Sequence, residues 1–547
     1  MRHRSPTEDP LASADRLVRQ AEAAWRRGDA GQAEALCGAA LTVLPHHLAG
    51  LHLLAVVELA SGRRDQALAR LDLALRLAPG EARLHATAAE ALASLGREAD
   101  GLAHWERAVA LAPAEAQLHL GQGAALHRAG RYEEAVAAFT RVVERAPSHT
   151  VAWSNLAEAC RRLDRLEAAV AHGRRAVELA PRDRAARYNL ALALADAGEL
   201  AETERLLREL IAEQPGDAEA EFELSEVLLR QGRWSEGWRA YEARYRMAHT
   251  QGLLPQFRAP RWDGRALPGE TLLVYGEQGF GDTLQFARFL ERARARVGRL
   301  VLGVSAELRP LLQEHPAVDA AFTGWDEVPA HAAQVPMTSL GLCVGGAEIG
   351  MSAPYLSVPD AARERAERLL TLGGLQGPAA GLKVGLVWAG RPTHQDDRRR
   401  SLDLRALAPI MALPGLTYVS LQKGASEAEA LGWAGPAPLF LAGPYLRHFA
   451  DTAALLARLD LVISVDTAVV HLAGALGVPS WVVLARPSDW RWGDEGEDSA
   501  WYPSVRLFRQ ARPGDWAEVV ERVRTALEAE LRRREGPGPS PAGPLVG

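Results

Sequence analysis

Three cysteines in 547 residues, Cys37, Cys160 and Cys343, stand far apart, and none falls in a CxxC pair. That scarcity excludes a disulfide framework or a zinc knuckle and fits a reducing compartment. No uninterrupted apolar run reaches the roughly 18 residues that a membrane helix needs. The opening MRHRSPTEDPLASADR mixes charges without the apolar centre of a signal sequence. A cytoplasmic chain without a transmembrane segment is expected. Positive charge is not in excess either: the formal net charge is -6 and the pI about 6.3, so no global basic balance holds nucleic acid or an anionic membrane. Walker-type and GxGxxG phosphate loops are both missing. What is abundant is apolar side chain, 48% of residues, enough for most of the chain to fold. A chain this long divides into roughly two to four domains.

The first half is periodic. Pro45, Pro79, Pro113, Pro147, Pro181 and Pro215 recur every 34 residues, and Gly28, Gly62, Gly96, Gly130, Asp164, Gly198 and Gly232 keep the same period. Five residues after each turn member stands Ala33, Ala67, Gly101, Ala135, Ala169, Thr203 or Gly237, mostly small side chains where two helices approach closely. A second small series runs Ala21, Ala55, Ala89, Gly123, Ala157, Ala191 and Ser225. Each unit reads as helix, turn, helix and proline exit. The unit resembles the tetratricopeptide repeat, about seven copies over residues 14–250, which stack into a superhelix with a concave face suited to a protein or peptide partner. Asn155 and Asn189 occupy equivalent first-helix positions and are similar in place to the asparagines with which the repeats of O-linked N-acetylglucosamine transferases hold peptide backbone. They are equally the ordinary residue at that place. The seventh unit, GRWSEGWRAYEARYRM, lacks its exit proline. Its Trp234, Trp238, Tyr241 and Tyr245 read as glue between the array and the next domain.

The second half alternates apolar strands with helices, the pattern of parallel sheets covered on both faces. Strands are expected at Thr271–Tyr275, Leu300–Val304, Val318–Phe322, Lys383–Gly390, Leu416–Gln422, Leu459–Val465, Trp481–Leu484 and Val505–Phe508. A Gly-rich turn, Gly279, Gly281 and Asp282, follows the first of these, and Asp466 and Thr467 follow another, with His471 on the next helix. A turn at the carboxyl end of a parallel strand offers free backbone N–H groups and a positive helix end to a phosphate. The alternative is that Asp466 caps the helix and His471 sits satisfied in its wall. A charged helix and the linker GGLQGPAAG near 359–381 suggest a hinge between two lobes, 268–372 and 380–533, with a disordered tail at 534–547.

The GxGD of Gly279–Asp282 and the DTAxxHLAGALGVP of Asp466–Pro479 resemble the two signature regions of ADP-heptose-type glycosyltransferases, the heptosyltransferase family, over about residues 270–530. The strings EQGFGDTLQFARFL, VGLVWAGRPTHQDDRRRSL and DWRWGDEGEDSAWYPSVRLFRQ are similar to bacterial proteins that join tetratricopeptide repeats to such a domain. The resemblance implies an α-helical tetratricopeptide-repeat superhelix followed by an α/β GT-B fold of two Rossmann-like lobes. It implies a metal-independent, inverting hexosyl- or heptosyl-type transfer from a nucleotide diphosphate sugar, a co-substrate, with no cofactor. Asp282 is then the candidate general base, against a helix N-cap as the other account. Gly279, Gly281, Asp466, Thr467, Ala468, Val469 and His471 fall to donor binding, and Arg400 to the leaving diphosphate. Ala468 stands where the family usually has Gly, which brings a Cβ towards the phosphates. Asp396 and Asp397 beside Arg400 fit a solvated charged loop. Trp490, Arg491, Trp492 and Trp501 either stack a base or pack two loops together. The alternatives to a transferase are a non-catalytic repeat scaffold with a degenerate transferase-like domain, and an epimerase or hydrolase on a similar two-lobed fold.

Overall fold

In a computed structural model of the chain the structure describes residues 9–535, apart from 249, 251–254, 256, 347–348, 350–353, 377–380 and 395–396. The chain divides into two compact units, one ending at Ala197 and the other beginning at Gly198. The described residues of the first unit form helices and the turns between them. Pairs such as Leu48–Ala60 with Arg64–Leu77 and Ala116–Arg128 with Tyr132–Arg145 repeat until Arg184–Ala197. Ala33, Ala55, Ala67, Ala89, Ala135 and Ala169 are fully buried at the crossings, which is why the two series hold only residues of threonine size or smaller.

Two periodic polar devices secure this array. His47, His149 and Asp183 precede first helices, and each side chain accepts a hydrogen bond from the backbone N–H three residues on, of Gly50, Ala152 and Ala186 at 3.1, 3.2 and 2.7 Å. At the helix starts after His47 and Asp183 this satisfies a donor with no backbone partner, whereas Ala152 N also bonds His149 O at 3.1 Å. In three consecutive units a ring nitrogen binds the carbonyl of the exit proline: His85 to Pro79 at 3.1 Å, His119 to Pro113 at 2.9 Å and Trp153 to Pro147 at 2.9 Å. The repeat thus ties its entry to its first helix. Asn189 donates through Nδ2 to Ser154 Oγ of the preceding first helix at 2.9 Å, so part of its hydrogen-bonding capacity is used inside the array. Asn155 is partly buried.

The second unit begins with Leu200–Glu213 and the last repeat, Ala218–Arg230 and Trp234–Tyr241, and continues into two parallel sheets. In the first sheet, β1 (Leu267–Tyr275), β2 (Val297–Gly303), β3 (Ala320–Phe322) and β4 (Ala333–Pro336) lie in the order β3-β2-β1-β4. The second sheet orders β5 (Leu382–Val387), β6 (Leu416–Ser420), β7 (Leu439–Leu441), β8 (Leu461–Val465), β9 (Ser480–Leu484) and β10 (Val505–Arg509) as β10-β9-β8-β5-β6-β7. Chain direction across each sheet reverses beside its first strand, between β1 and β4 and between β5 and β8. These are the topological switch points at which open α/β sheets form ligand crevices. Strands β4 and β7 were not expected from the sequence; each is only three or four residues long, too short for a period to register.

The helix Asp360–Leu372, which precedes the expected hinge in the chain, packs on the second-lobe helix Phe449–Leu456, with Arg365 Nε on Asp451 Oδ1 at 2.5 Å. The terminal helix Trp516–Glu535 covers one face of the second sheet, burying Val519, Val520, Val523 and Leu527 against Val384, Leu386 and Ile463. It runs two residues into the span expected to be a disordered tail, and the rest of that tail lies outside the described residues.

Asp164 is the one non-glycine at positive φ among the described residues, at 58°, where the equivalent turns use Gly28, Gly62, Gly96 and Gly130 at 73–82°. Asp tolerates this left-handed conformation better than Ala does. Asp164→Ala is therefore expected to destabilise the helical array by about 1 kcal/mol and Asp164→Gly not at all. Urea unfolding followed by far-ultraviolet circular dichroism separates the two.

Candidate functional site

The turn after β1, Gly276–Gly279, enters the helix Phe280–Phe286 at the first switch point. The turn after β8 enters the helix Ala468–Ala475 at the second. The two helix starts touch. A Cβ built on Gly281 would lie 2.9 Å from His471 Cδ2 and 3.5 Å from Ala468 Cα, so glycine is required for this approach. Gly279, Gly281, Asp282, Ala468 and His471 are thus brought to one place from positions nearly 190 residues apart, a separation of 468 − 281 = 187.

Asp282 is not the residue that caps its helix. Gly279 holds that position, and Asp282 sits three residues on, its Oδ2 accepting the Gly279 N–H at 3.0 Å. Its Oδ1 accepts from Arg491 Nη2 of the second lobe. Arg491 also donates through Nε to Gln285 Oε1 at 2.8 Å and through Nη1 to both Asp489 oxygens at 2.9 and 3.0 Å. Its guanidinium carbon lies 4.2 Å from the Trp490 ring centroid. Only 10% of the Arg491 side chain and 21% of Asp282 remain exposed. Burial opposes the charges of Asp489 and Arg491, yet Arg491 holds the Asp489 carboxyl below its usual range, and the neighbouring carboxylates hold Arg491 well above its own.

Asp466 does not cap the second helix either; Thr467 does, with its Oγ1 3.2 Å from Ser464 Oγ. Ala468 starts the helix without positive φ, so the missing glycine costs the backbone nothing. The amides of Ala468 and Val469 precede the first intrahelical bond, from Val470 N to Thr467 O, and remain available to an acceptor. His471 is 5% exposed, stacked on Trp492 at 5.2 Å and bonded through Nδ1 to Tyr502 OH at 2.9 Å. Burial, reinforced by Arg491, pushes its pKa down to about 3, so the ring is neutral. Burial and the Asp489 charge push Asp466 up to about 6.

Arg400 closes the short helix Asp397–Arg400 and packs over Gly390, just beyond β5, with its Nε 3.5 Å from Asp397 Oδ1. It stands beside the second switch point. Asp396, the neighbour that suggested a solvated loop, lies outside the described residues, whereas Asp397 is a partner of Arg400 and accepts from Ser401 Oγ at 2.9 Å. The tryptophans resolve to packing: Trp490, Trp492 and Trp501 are 3%, 3% and 1% exposed. Trp238 of the last repeat makes edge contacts with Trp490 at 5.6 Å and Phe286 at 5.5 Å, as expected of glue.

Several residues around the site escaped the sequence reading. Gln422, just after β6, accepts from Trp388 N and Ala389 N at 3.1 and 3.0 Å and fixes the exit of β5. Lys423 is turned away, donating to Gly443 O and Leu446 O. From the last repeat, Arg230 donates to Ser488 O at 2.9 Å and faces Asp494 at 3.5 Å. Glu226, one turn before Arg230, has its pKa pushed up to about 8 by burial and by the charges of Glu223 and Asp489. No local motif marks Gln422, Arg230 or Glu226; each gains its role only from the strand or loop that folding brings beside it.

Tetratricopeptide repeat families match residues 24–91, 86–150, 128–184 and 188–249, and glycosyltransferase family 9 (heptosyltransferase) matches residues 442–524. Protein FlbA of Caulobacter vibrioides is 32% identical over 333 residues, 55% of this chain and 53% of that protein. The chain thus spans about half the length of that curated relative. Among solved structures, a tetratricopeptide repeat protein of Parabacteroides merdae aligns at 16% identity and TM-score 0.37 over 44% of this chain and 95% of its own. A thermophilic tetratricopeptide protein of Thermus thermophilus aligns at 24% and 0.29 over 33% and 99%. The chain joins tetratricopeptide repeats to a glycosyltransferase family 9 segment, and that segment contains the Asp466–His471 turn but not Asp282.

An unfolded glutamate releases its proton near pH 4.5, whereas folded Glu226 keeps it to about 8. The folded chain therefore loses stability as pH rises between those values, because ionisation is penalised only in the folded state. Glu226→Gln is expected to raise the thermal midpoint by about 2 °C or more at pH 8.5 and to leave it nearly unchanged at pH 5. Scanning calorimetry at the two pH values checks both the sign and the window.

Proposed function

We propose that the second unit transfers a glycosyl group from a nucleoside diphosphate sugar to an acceptor, by single displacement with inversion. The observation that carries this reading is the meeting of two strand-end turns, one from each parallel sheet, at Gly281 and His471. One turn presents a carboxylate, Asp282, and the other presents the unpaired amides of Ala468 and Val469 at a helix start. The diphosphate is assigned to those amides and to the guanidinium of Arg400. The acceptor hydroxyl attacks the anomeric carbon, its proton passes to Asp282, and the bond from that carbon to the diphosphate oxygen breaks as the nucleoside diphosphate leaves. Neutral His471 serves as a wall of the pocket: an imidazole whose pKa is pushed down to about 3 carries no charge to the phosphates. Asp466, beside Arg400, helps orient the donor.

The repeats are assigned to an acceptor protein or peptide, or to an assembly partner. Tethering such a partner on the chain that carries the transfer site raises its effective concentration there. The scaffold reading retains one observation of its own. Asp282 and Arg491 are already paired and the two turns already touch, so substrates enter only when the lobes part.

A panel of nucleoside diphosphate sugars in a thermal-shift assay decides between them. One donor is expected to raise the midpoint of the unmodified chain and not that of the Asp466→Ala, His471→Ala double variant, since ligand at 100 times its Kd adds about 2.7 kcal/mol. Asp282→Asn should keep that shift and lose turnover by about 100-fold or more. A panel that shifts nothing while the double variant is folded leaves the scaffold.

A further inference from the structure

The last repeat meets the α/β part of its unit at two places, and these hold the two ends of one ion pair. On the first-lobe side, Tyr241 OH donates to Gln278 Oε1 at 3.3 Å and Tyr245 OH to Glu277 Oε1 at 2.8 Å, the two residues immediately before the Gly279–Asp282 turn. On the second-lobe side, Arg230 holds Ser488 O and faces Asp494, while Trp238 packs on Trp490, so the segment 488–494 is gripped at both ends and in the middle. Arg491 stands at the centre of that segment.

Its guanidinium has no freedom left. Nε binds Gln285, Nη1 binds Asp489, Nη2 binds Asp282, and one flat face rests on Trp490. Asp282 is likewise fixed, one oxygen on Gly279 N and the other on Arg491. A carboxylate held at both oxygens cannot turn about its last torsion, yet each oxygen keeps a lone pair for an incoming proton. A planar fork with several divergent donors can do this; a single ammonium cannot. We propose that Arg491 is the positioning residue of Asp282, and that the last repeat, through Arg230, Trp238 and Tyr241, sets the two turns at the distance this pair requires. The proposal rests on the role given to Asp282 above. It makes the last repeat part of the reaction site and not only of the partner surface.

The test uses the full chain carrying Arg491→Lys, Arg491→Ala, Arg230→Ala or Asp282→Asn, and pairs of these, with nucleoside diphosphate release from the stabilising donor as the rate. Arg491→Lys, which keeps the charge and loses the fork, should lower kcat by about 10-fold and leave the donor KM within about twofold. Arg491→Ala should lower kcat further, and Arg230→Ala should lower it in the unmodified chain but add nothing once Arg491 is Ala. Equal kcat for Arg491→Lys and the unmodified chain overturns the proposal, as does a loss confined to donor KM. Independent, multiplying effects of Arg230→Ala and Arg491→Ala overturn the part given to the repeat. If no donor on the panel is turned over, the transferase reading fails by itself, and the thermal midpoints of the same variants judge the pair. The shifts of Asp282→Asn and Arg491→Lys should then fall short of adding by about 2 °C or more, and simple additivity overturns the coupling.

Discussion

A missing side chain at one position lets the two sheets share a site. The helix that follows β1 carries Gly281 in its first turn against the imidazole of His471, at a separation that any Cβ would violate. Because the approach is that close, the His471 ring is enclosed by Trp492, Tyr502 and the opposite helix start, and enclosure in turn keeps it uncharged. Arg288 extends the joint, reaching from the first lobe to Trp501 O at 3.1 Å with its cation over the Tyr355, Trp501 and Tyr502 rings. The lobes therefore meet through shape, cation–aromatic contact and ion pairs such as Arg365 with Asp451, with a further concentration of charges around Arg491.

That concentration has an electrostatic logic. Asp282, Asp466, Asp489 and Glu226 gather around Arg491 with Arg400 and Arg230 at the margin. A buried guanidinium among that many carboxyls cannot satisfy all of them as anions. Some stay ionised on the arginine, as Asp489 does, and others are driven towards the neutral form, as Glu226 and Asp466 are. Asp489 accepts directly from the guanidinium, whereas at Glu226 and Asp466 burial is the largest cause of the upward shift.

Much of this was legible in the sequence because it is periodic or local. The 34-residue spacing gave the helical pairs directly, and short apolar runs such as Leu272–Tyr275, Leu461–Ile463 and Trp481–Leu484 gave the longer strands. The turn residues Gly279, Gly281, Asp282 and Thr467 could be placed at strand ends from the chain order alone. Short β4 and β7 carried too few residues for a pattern. Ala468 takes a negative φ, so glycine's backbone freedom is not needed there, which no propensity of the residue reveals. The tryptophans left two accounts open, and the burial of Trp490 and Trp501 against Trp238 and of Trp492 against His471 and Tyr502 decided for packing. Arg491 was visible only as a member of an aromatic stretch; its partner Asp282 is 209 residues away, and nothing local links them.

The motif boundary and the packing boundary of this chain fall in different places. By motif, the repeats end near residue 250, but by contact the second compact unit begins at Gly198 and takes in the last repeat. Trp238, 2% exposed, belongs to the same apolar core as Leu272 and Phe286 of the α/β part. Anyone dividing the gene for expression, or exchanging one repeat array for another, would naturally cut where the repeats stop. Such a cut would strip an indole from the centre of a core and leave Trp490, Trp501 and Phe286 facing water. The last repeat is better regarded as the first element of the domain that follows, so a workable exchange point lies one and a half repeats earlier than the motif suggests.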